Sequence, residues 1–425
     1  MKKLFILPFI LLSLLACNEN VDFENPAETT SYAFVDSFYV PFETALTYAE
    51  QMLNKENGST RTSTKRKVAE HYEYITNNAT RSTGENIDVR FHVINFENNQ
   101  GFALVSADSR TTPVYAYSST GNLNIDESIE NSGFGDFMDA ATEHYAMEID
   151  FTGDLLPITP TPINPIVNLP LEYIDGIWCH MAVEEVNKTN ANGILVKAEW
   201  HQKWPYNYYC GENTNATKAS GYRNAAGCGP LAAAMIMSYY SYPASFGGYT
   251  LEWNKINSSI KFNESYPQIS ENAKAAARLI NLVGISADAD YGLTTGIYMS
   301  GITAVFNDFG YNFNGPSAYS SAAVINSLDS SCPILIAAQN VNLDGHMWII
   351  DGYNITNEIK TYYYQTPPYD LYRRTTNIKN EYLHCNWGWG YDKNNSSCWC
   401  LNVFNSPNGQ FNTNKQIFYN IQPNN

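Results

Sequence analysis

Apolar residues fall at helical spacing in Phe42, Leu46, Ala49 and Leu53, directly after Pro41, and predict a helix over 42–53. A Lys/Arg/Ser/Thr-rich loop over 55–67 follows it. The pattern then changes to alternation. Val89, Phe91 and Val93 predict a strand over 89–96, E-N-N-Q-G at 97–101 a turn, and 102–106 the returning strand. A third strand is expected over 114–118 and a second helix over 134–149. Together they make a small α+β unit. Five prolines in the fourteen residues 157–170 then predict an extended, semi-rigid connector over 156–170, with a helix over 175–186 leading into the second half. There the helices come first, over 230–240, 271–283 and 299–309. Strands follow over 334–338, 346–352, 360–364, 382–386 and 399–404, a second α+β unit.

A chain of 425 residues with 44% hydrophobic and 16% charged positions is globular and long enough for two domains. Its charge is lopsided. Of 25 basic and 42 acidic side chains, residues 1–196 hold 11 and 27, which leaves the second half close to neutral. A net charge of −17 repels phosphate and argues against a nucleic-acid partner. The first residues read as an export signal: Lys2 and Lys3, an apolar run over 4–15, then L-L-A-C ending at Cys17. Leu-Leu-Ala before Cys17 resembles a bacterial lipobox, so residues 1–17 are expected to be a lipoprotein-type signal. The lipid on Cys17 would anchor the precursor at an outer membrane or cell surface. No other run is apolar enough to span a bilayer.

Cys228 stands before Gly229-Pro230 and a predicted helix. Proline suits a first helical turn, so the thiol sits where unpaired N–H groups and the helix dipole favour a thiolate. The same N–H groups suit the oxyanion of acyl transfer. His346 follows Gly345, which leaves room beside the ring, and it precedes the strand-like M-W-I-I. It is the candidate general base and acid. Asn386 and Trp387, in N-W-G-W-G, supply a ring acceptor and a water-excluding indole. Taken singly, each residue also fits a buried thiol, a core histidine or an aromatic turn. Their order, a Cys, a distant His and then Asn-Trp, gives them a shared chemistry. His384 with Cys385, Cys398 and Cys400 matches no standard zinc spacing, and no metal or other cofactor is expected. Buried thiols or one disulfide account for the remaining cysteines. There is no G-x-S-x-G for a serine hydrolase and no H-E-x-x-H for a zinc peptidase.

The stretches W-H-Q-K-W-P-Y-N, A-G-C-G-P-L-A-A-A-M-I-M-S-Y-Y-S-Y-P, L-V-G-I-S-A-D-A-D-Y-G, D-G-H-M-W-I-I-D-G-Y and N-W-G-W-G resemble successive motifs of the streptopain-like bacterial cysteine peptidases. F-H-V-I-N-F-E-N-N-Q-G-F-A-L-V-S-A-D and V-Y-A-Y-S-S-T-G resemble that family's inhibitory prosegment. The resemblance covers most of the chain after about residue 30. It implies a papain-like peptidase domain over 187–425, preceded by a small α+β inhibitory prodomain over 18–186. Cys228 and His346 are then catalytic, Gln202 completes the oxyanion hole, and Asn386 and Trp387 orient and cover the imidazole. The implied activity is endopeptidase action on proteins, with an apolar residue preferred next-but-one before the cut. Tyr391 after W-G-W-G, Asp344 before Gly345, and Cys398 and Cys400 depart from the family pattern and bear on specificity. Two other readings keep the fold: a lipid-anchored binding module without activity, and a thiol acyltransferase.

Overall fold

The computed structural model describes residues 38–56, 66–79, 86–125, 133–151, 171–174, 177–189, 193–339, 345–366, 370–389, 397–405 and 413–424. Cys17 and its signal, the Pro-rich connector 156–170, Asp344 and Tyr391 lie outside them. No helix among the described residues is long and apolar enough to cross a membrane.

The first expected helix is α1 (Phe42–Glu56). It is started by Pro41, whose carbonyl accepts the Thr44 and Ala45 N–H groups at 3.0 Å. A meander of β1 (Val68–Ala79), β2 (Asn86–Phe96), β3 (Phe102–Ser106) and β4 (Val114–Ser118) follows, then α2 (Gly133–Phe151). Next come β5 (Leu171–Ile174) and β6 (Ile177–Thr189). The second half runs α3 (Cys228–Tyr240), the short hairpin β7 (Ser245–Phe246) and β8 (Tyr249–Thr250), α4 (Trp253–Ile256), α5 (Glu271–Ser286) and α6 (Met299–Asp308). Then follow β9 (Tyr311–Ala318), α7 (Ser321–Asp329), β10 (Ile334–Gln339), β11 (Gly345–Thr366), β12 (Asp370–Asn386), β13 (Ser397–Leu401) and β14 (Thr413–Pro423).

Two departures from expectation have a common cause. Residues 175–186 do not form a helix: β6 is a strand, paired with β5 on one side and with the distal half of β11 on the other. A short apolar run such as I-W-C-H-M-A-V suits either state, and the available ladder partners decide it. The strands expected over 346–352 and 360–364 are one strand, β11, because β12 stays paired along its whole length. β6 also crosses residue 186, the expected domain boundary.

The strands form one twelve-stranded sheet, ordered β1-β2-β3-β4-β13-β12-β11-β10-β14-β9, with β6 and β5 branching from β11. The two halves meet at β4 and β13, where Tyr117 lies opposite Trp399 and Ala116 opposite Cys400. Tyr117 also stacks on Trp399, and the Tyr382 hydroxyl donates to the Val114 carbonyl at 2.9 Å. The alternation of β10 and β11 separates two cores. Ile334, Ile336, Trp348 and Ile350 face one with α1, α2 and β2 to β4. Leu335, Ala337, Met347 and Ile349 face the other with α3, α5 and α6. Helix α3 is buried from Gly229 to Ser238, and its run of alanines lets neighbours approach on every side.

Candidate active site

Cys228 opens α3 after Gly227, whose φ of 89° is a conformation that L side chains rarely adopt. At Gly229 a Cβ would overlap Ile297 Cδ1 and stand 2.9 Å from Met347 Sδ, so glycine lets the helix start fit against its cover. The thiol is half-buried at the helix N-terminus. Burial by itself would push it up; the facing His346, with the backbone groups of Met347 and Gly229, outweighs this and brings it below the usual range. Burial pushes Cys210 up to about 12. It also raises Cys332, Cys385 and Cys400. Among these five thiols, Cys228 alone shifts towards the thiolate.

His346 begins β11 and is shifted the opposite way. Burial would lower the imidazole, but Cys228, Asp136 and the Trp387 carbonyl together raise it. Its Nε2–H donates to the Trp387 carbonyl at 3.2 Å, which leaves Nδ1 to take the Cys228 proton. Trp348 stacks parallel to the ring, and Trp387 packs on Trp348 with centroids 5.1 Å apart. A lowered thiol facing a raised imidazole is the electrostatic signature of a thiolate–imidazolium pair.

Asn386 is placed differently from the expectation. Its Nδ2 donates to the Ala198 carbonyl at 2.7 Å and its Oδ1 accepts the Gly388 N–H at 3.2 Å. Among the described residues, the acceptor for the catalytic ring is the backbone of Trp387, the next residue along. Asn386 therefore shapes the turn that presents that carbonyl. Asn386→Ala leaves the Ala198 carbonyl without its partner and is expected to cost about 1–3 kcal/mol of transition-state stabilisation, read as kcat/KM. A rate equal to wild type would mean that the turn holds without it.

Gln202 is brought to the site. A cavity of about 500 Å³ is lined by Gln202, His201, Cys228, His346 and Trp389 among others. A second, of about 490 Å³, is lined by Cys228, His346, Ile297, Met299, Ala337 and Met347 among others. Both are lined by Cys228 and His346. Gly345 lines both, with its nearest neighbour 3.7 Å from the Cβ position. His201 is a second imidazole in the first of these cavities. Burial pushes it down to about 3, so it stays neutral, and its Nδ1 accepts the Lys203 N–H.

The first half also reaches the site, through residues that sequence reasoning did not single out. Gly133, the first residue of α2, sits on the His346 ring. A Cβ there would overlap His346 Cδ2 and stand 2.7 Å from its Nε2 and 2.6 Å from Trp387 Cε3. Asp136, one turn on, places its charge within reach of His346. Phe134 and Phe137 cover Trp387, each with ring centroids 6.3 Å away. The only local trace of this role is a glycine at a helix start, where any small residue would be unremarkable.

Comparison with known proteins matches two families along the chain. Residues 200–395 match the peptidase C10 family, and residues 34–145 match the Spi protease inhibitor family. Streptopain of Streptococcus pyogenes is 23% identical over 326 residues, which is 68% of this chain and 69% of streptopain. A solved fragment of Prevotella intermedia prointerpain A, 17% identical, superposes over 83% of this chain and 100% of the fragment with a TM-score of 0.50. That likeness concerns the fold.

Proposed function

We propose, from the premise that this chain belongs to the streptopain-like peptidase C10 family and carries the family's inhibitor segment in front, that it is a latent cysteine endopeptidase. Cys228 attacks the scissile carbonyl carbon as a thiolate. The N–H groups at the start of α3 and the Gln202 amide stabilise the oxyanion. His346 gives its Nδ1 proton to the leaving amine, then takes a proton from the water that hydrolyses the thioester. The observation that carries this reading is the placement of Cys228 at the start of α3 and His346 at the start of β11, lining the same two cavities, with the thiol shifted down and the imidazole up. A thiol-directed epoxide should label Cys228 stoichiometrically in the mature form and stop casein hydrolysis. No labelling would favour the binding-module reading. Aminolysis products exceeding hydrolysis in added amine would favour acyl transfer.

Residues 18–186 act in this reading as the prosegment and 187–425 as the peptidase, with maturation in or just after the connector 156–170. The partners are protein substrates and the chain's own prosegment. The precursor is an exported lipoprotein held by Cys17, and cutting the connector followed by loss of the prosegment releases the peptidase from its anchor. Cys17→Ser should move the precursor from the membrane to the soluble fraction without changing the activity of the matured enzyme. Membrane retention of that variant would rule out the anchor.

A further inference from the structure

The motif segments that supply His346 and Asn386 carry a second histidine–acid pair for which the catalytic assignment has no use. Asp351 lies on β11, and His384 lies two residues before Asn386 on β12. Asp351 is fully buried and His384 is 5% exposed. His384 Nδ1–H donates to Asp351 Oδ1 at 2.6 Å, and the other carboxylate oxygen accepts the Val196 N–H at 2.8 Å. The Asp351 carbonyl accepts the Leu195 N–H at 3.1 Å. A buried carboxylate is costly unless each oxygen is satisfied. Here the satisfaction comes from one ring and from the backbone of residues 193–200, which lie in no helix or strand.

That stretch leads to the site. Asn386 Nδ2 holds the Ala198 carbonyl, and the Glu199 N–H donates to the Ile260 carbonyl at 2.8 Å. His201 then bridges Trp389. The Gln202 carbonyl accepts the Ala226 N–H at 2.9 Å, two residues before the nucleophile. Without a ladder of its own, the stretch takes its register from these contacts. It follows β6, whose last residue Thr189 pairs with Asn354, so these contacts hold the stretch from the end of that ladder to the site.

We propose that Asp351 and His384 are positioning residues that clamp the Leu195–Gln202 arm on β11 and β12 and so keep Gln202 at the Cys228–His346 cavity. This rests on the cysteine-peptidase reading and on Gln202 as an oxyanion donor. It adds what fixes that donor once the chain before it is cut.

The test uses full-length variants, matured and titrated for active sites. Asp351→Ala should lower kcat per titrated site about tenfold or more with KM within about twofold, while iodoacetamide alkylates Cys228 at the wild-type rate. In a Gln202→Ala background, Asp351→Ala should add less than about twofold. Asp351→Asn retains an oxygen for Val196 and should recover most of kcat. Val196→Pro deletes the donor but leaves the buried pair whole; it should lower kcat in the same way, and it decides the matter if Asp351→Ala does not fold. The proposal is overturned by equal losses with and without Gln202, by a loss that fewer titrated sites explain, or by an unchanged kcat in Val196→Pro. A silent Gln202→Ala overturns both the proposal and the oxyanion role. Failure of wild-type Cys228 to alkylate strikes the cysteine-peptidase reading instead.

Discussion

Cys228→Ala and His346→Ala are each expected to lower casein hydrolysis by about 10⁴-fold or more while leaving the chain folded. The first removes the proposed nucleophile and the second the ring proposed to move its proton. Neither side chain is a core anchor: both are half-buried at the start of their elements. Proteolysis persisting in purified Cys228→Ala would overturn the mechanism. The pH dependence of kcat/KM should be bell-shaped. Because Cys228 is held below its usual range, activity is lost only when acid is strong enough to protonate it. Because His346 is held above its usual range, activity falls on the alkaline side as that ring loses its proton. Part of the upward shift of His346 comes from Asp136, which leaves with the prosegment. The His346 ring should therefore titrate lower in the mature enzyme than in the uncut chain, with the NMR signal of that ring as the common readout.

What could be read in the chain was local. Helices α1, α2, α3 and α5 announced themselves through apolar spacing and through Pro41 and Pro230 in their first turns. Strands β2 to β4 did so through alternation and a turn rich in asparagine. Helix α7 was missed although Ser320 caps it by accepting the Ala323 N–H; nine residues gave too short a period. Strand β1 was missed because charged and polar residues interrupt its alternation, and it is paired on one side only, with β2. β6 and the long reach of β11 depend on partners far away in sequence, which no window contains. The site divides in the same way. Cys228, His346 and Gln202 line a shared cavity; motif order singled out the first two, and only the family resemblance pointed to Gln202. The ring's acceptor was misassigned by one residue, because a backbone carbonyl leaves no mark in a sequence and a conspicuous asparagine beside it does. Gly133 and Asp136 could not be found, since their role exists only where the two halves meet.

Gly133→Leu is expected to break latency in the uncut chain. The start of α2 leaves no room over His346 and Trp387, so a side chain there must push the helix off the ring or the ring off its carbonyl. Overpacking of this kind costs about 1–3 kcal/mol, or about 5- to 150-fold in the hold of the prosegment on the enzyme. Self-maturation should begin correspondingly earlier, and the isolated peptidase should be less inhibited by added Gly133→Leu prosegment than by wild type. The geometry also says how latency ends. The proposed inhibition rests on the approach of Gly133 to the His346 ring. The hold includes the β4–β13 pairing, the Tyr382–Val114 hydrogen bond, the Phe134 and Phe137 contacts with Trp387, and a shared core, none of which a cut at residues 156–170 removes. A nicked chain should therefore co-elute on gel filtration with its prosegment and remain largely inactive. Activity should rise only as residues 18–186, with 8 basic and 27 acidic side chains, are degraded or diluted away. Full activity appearing with the first cut, while the two pieces still co-elute, would show that the contact with His346 is not what keeps the enzyme silent.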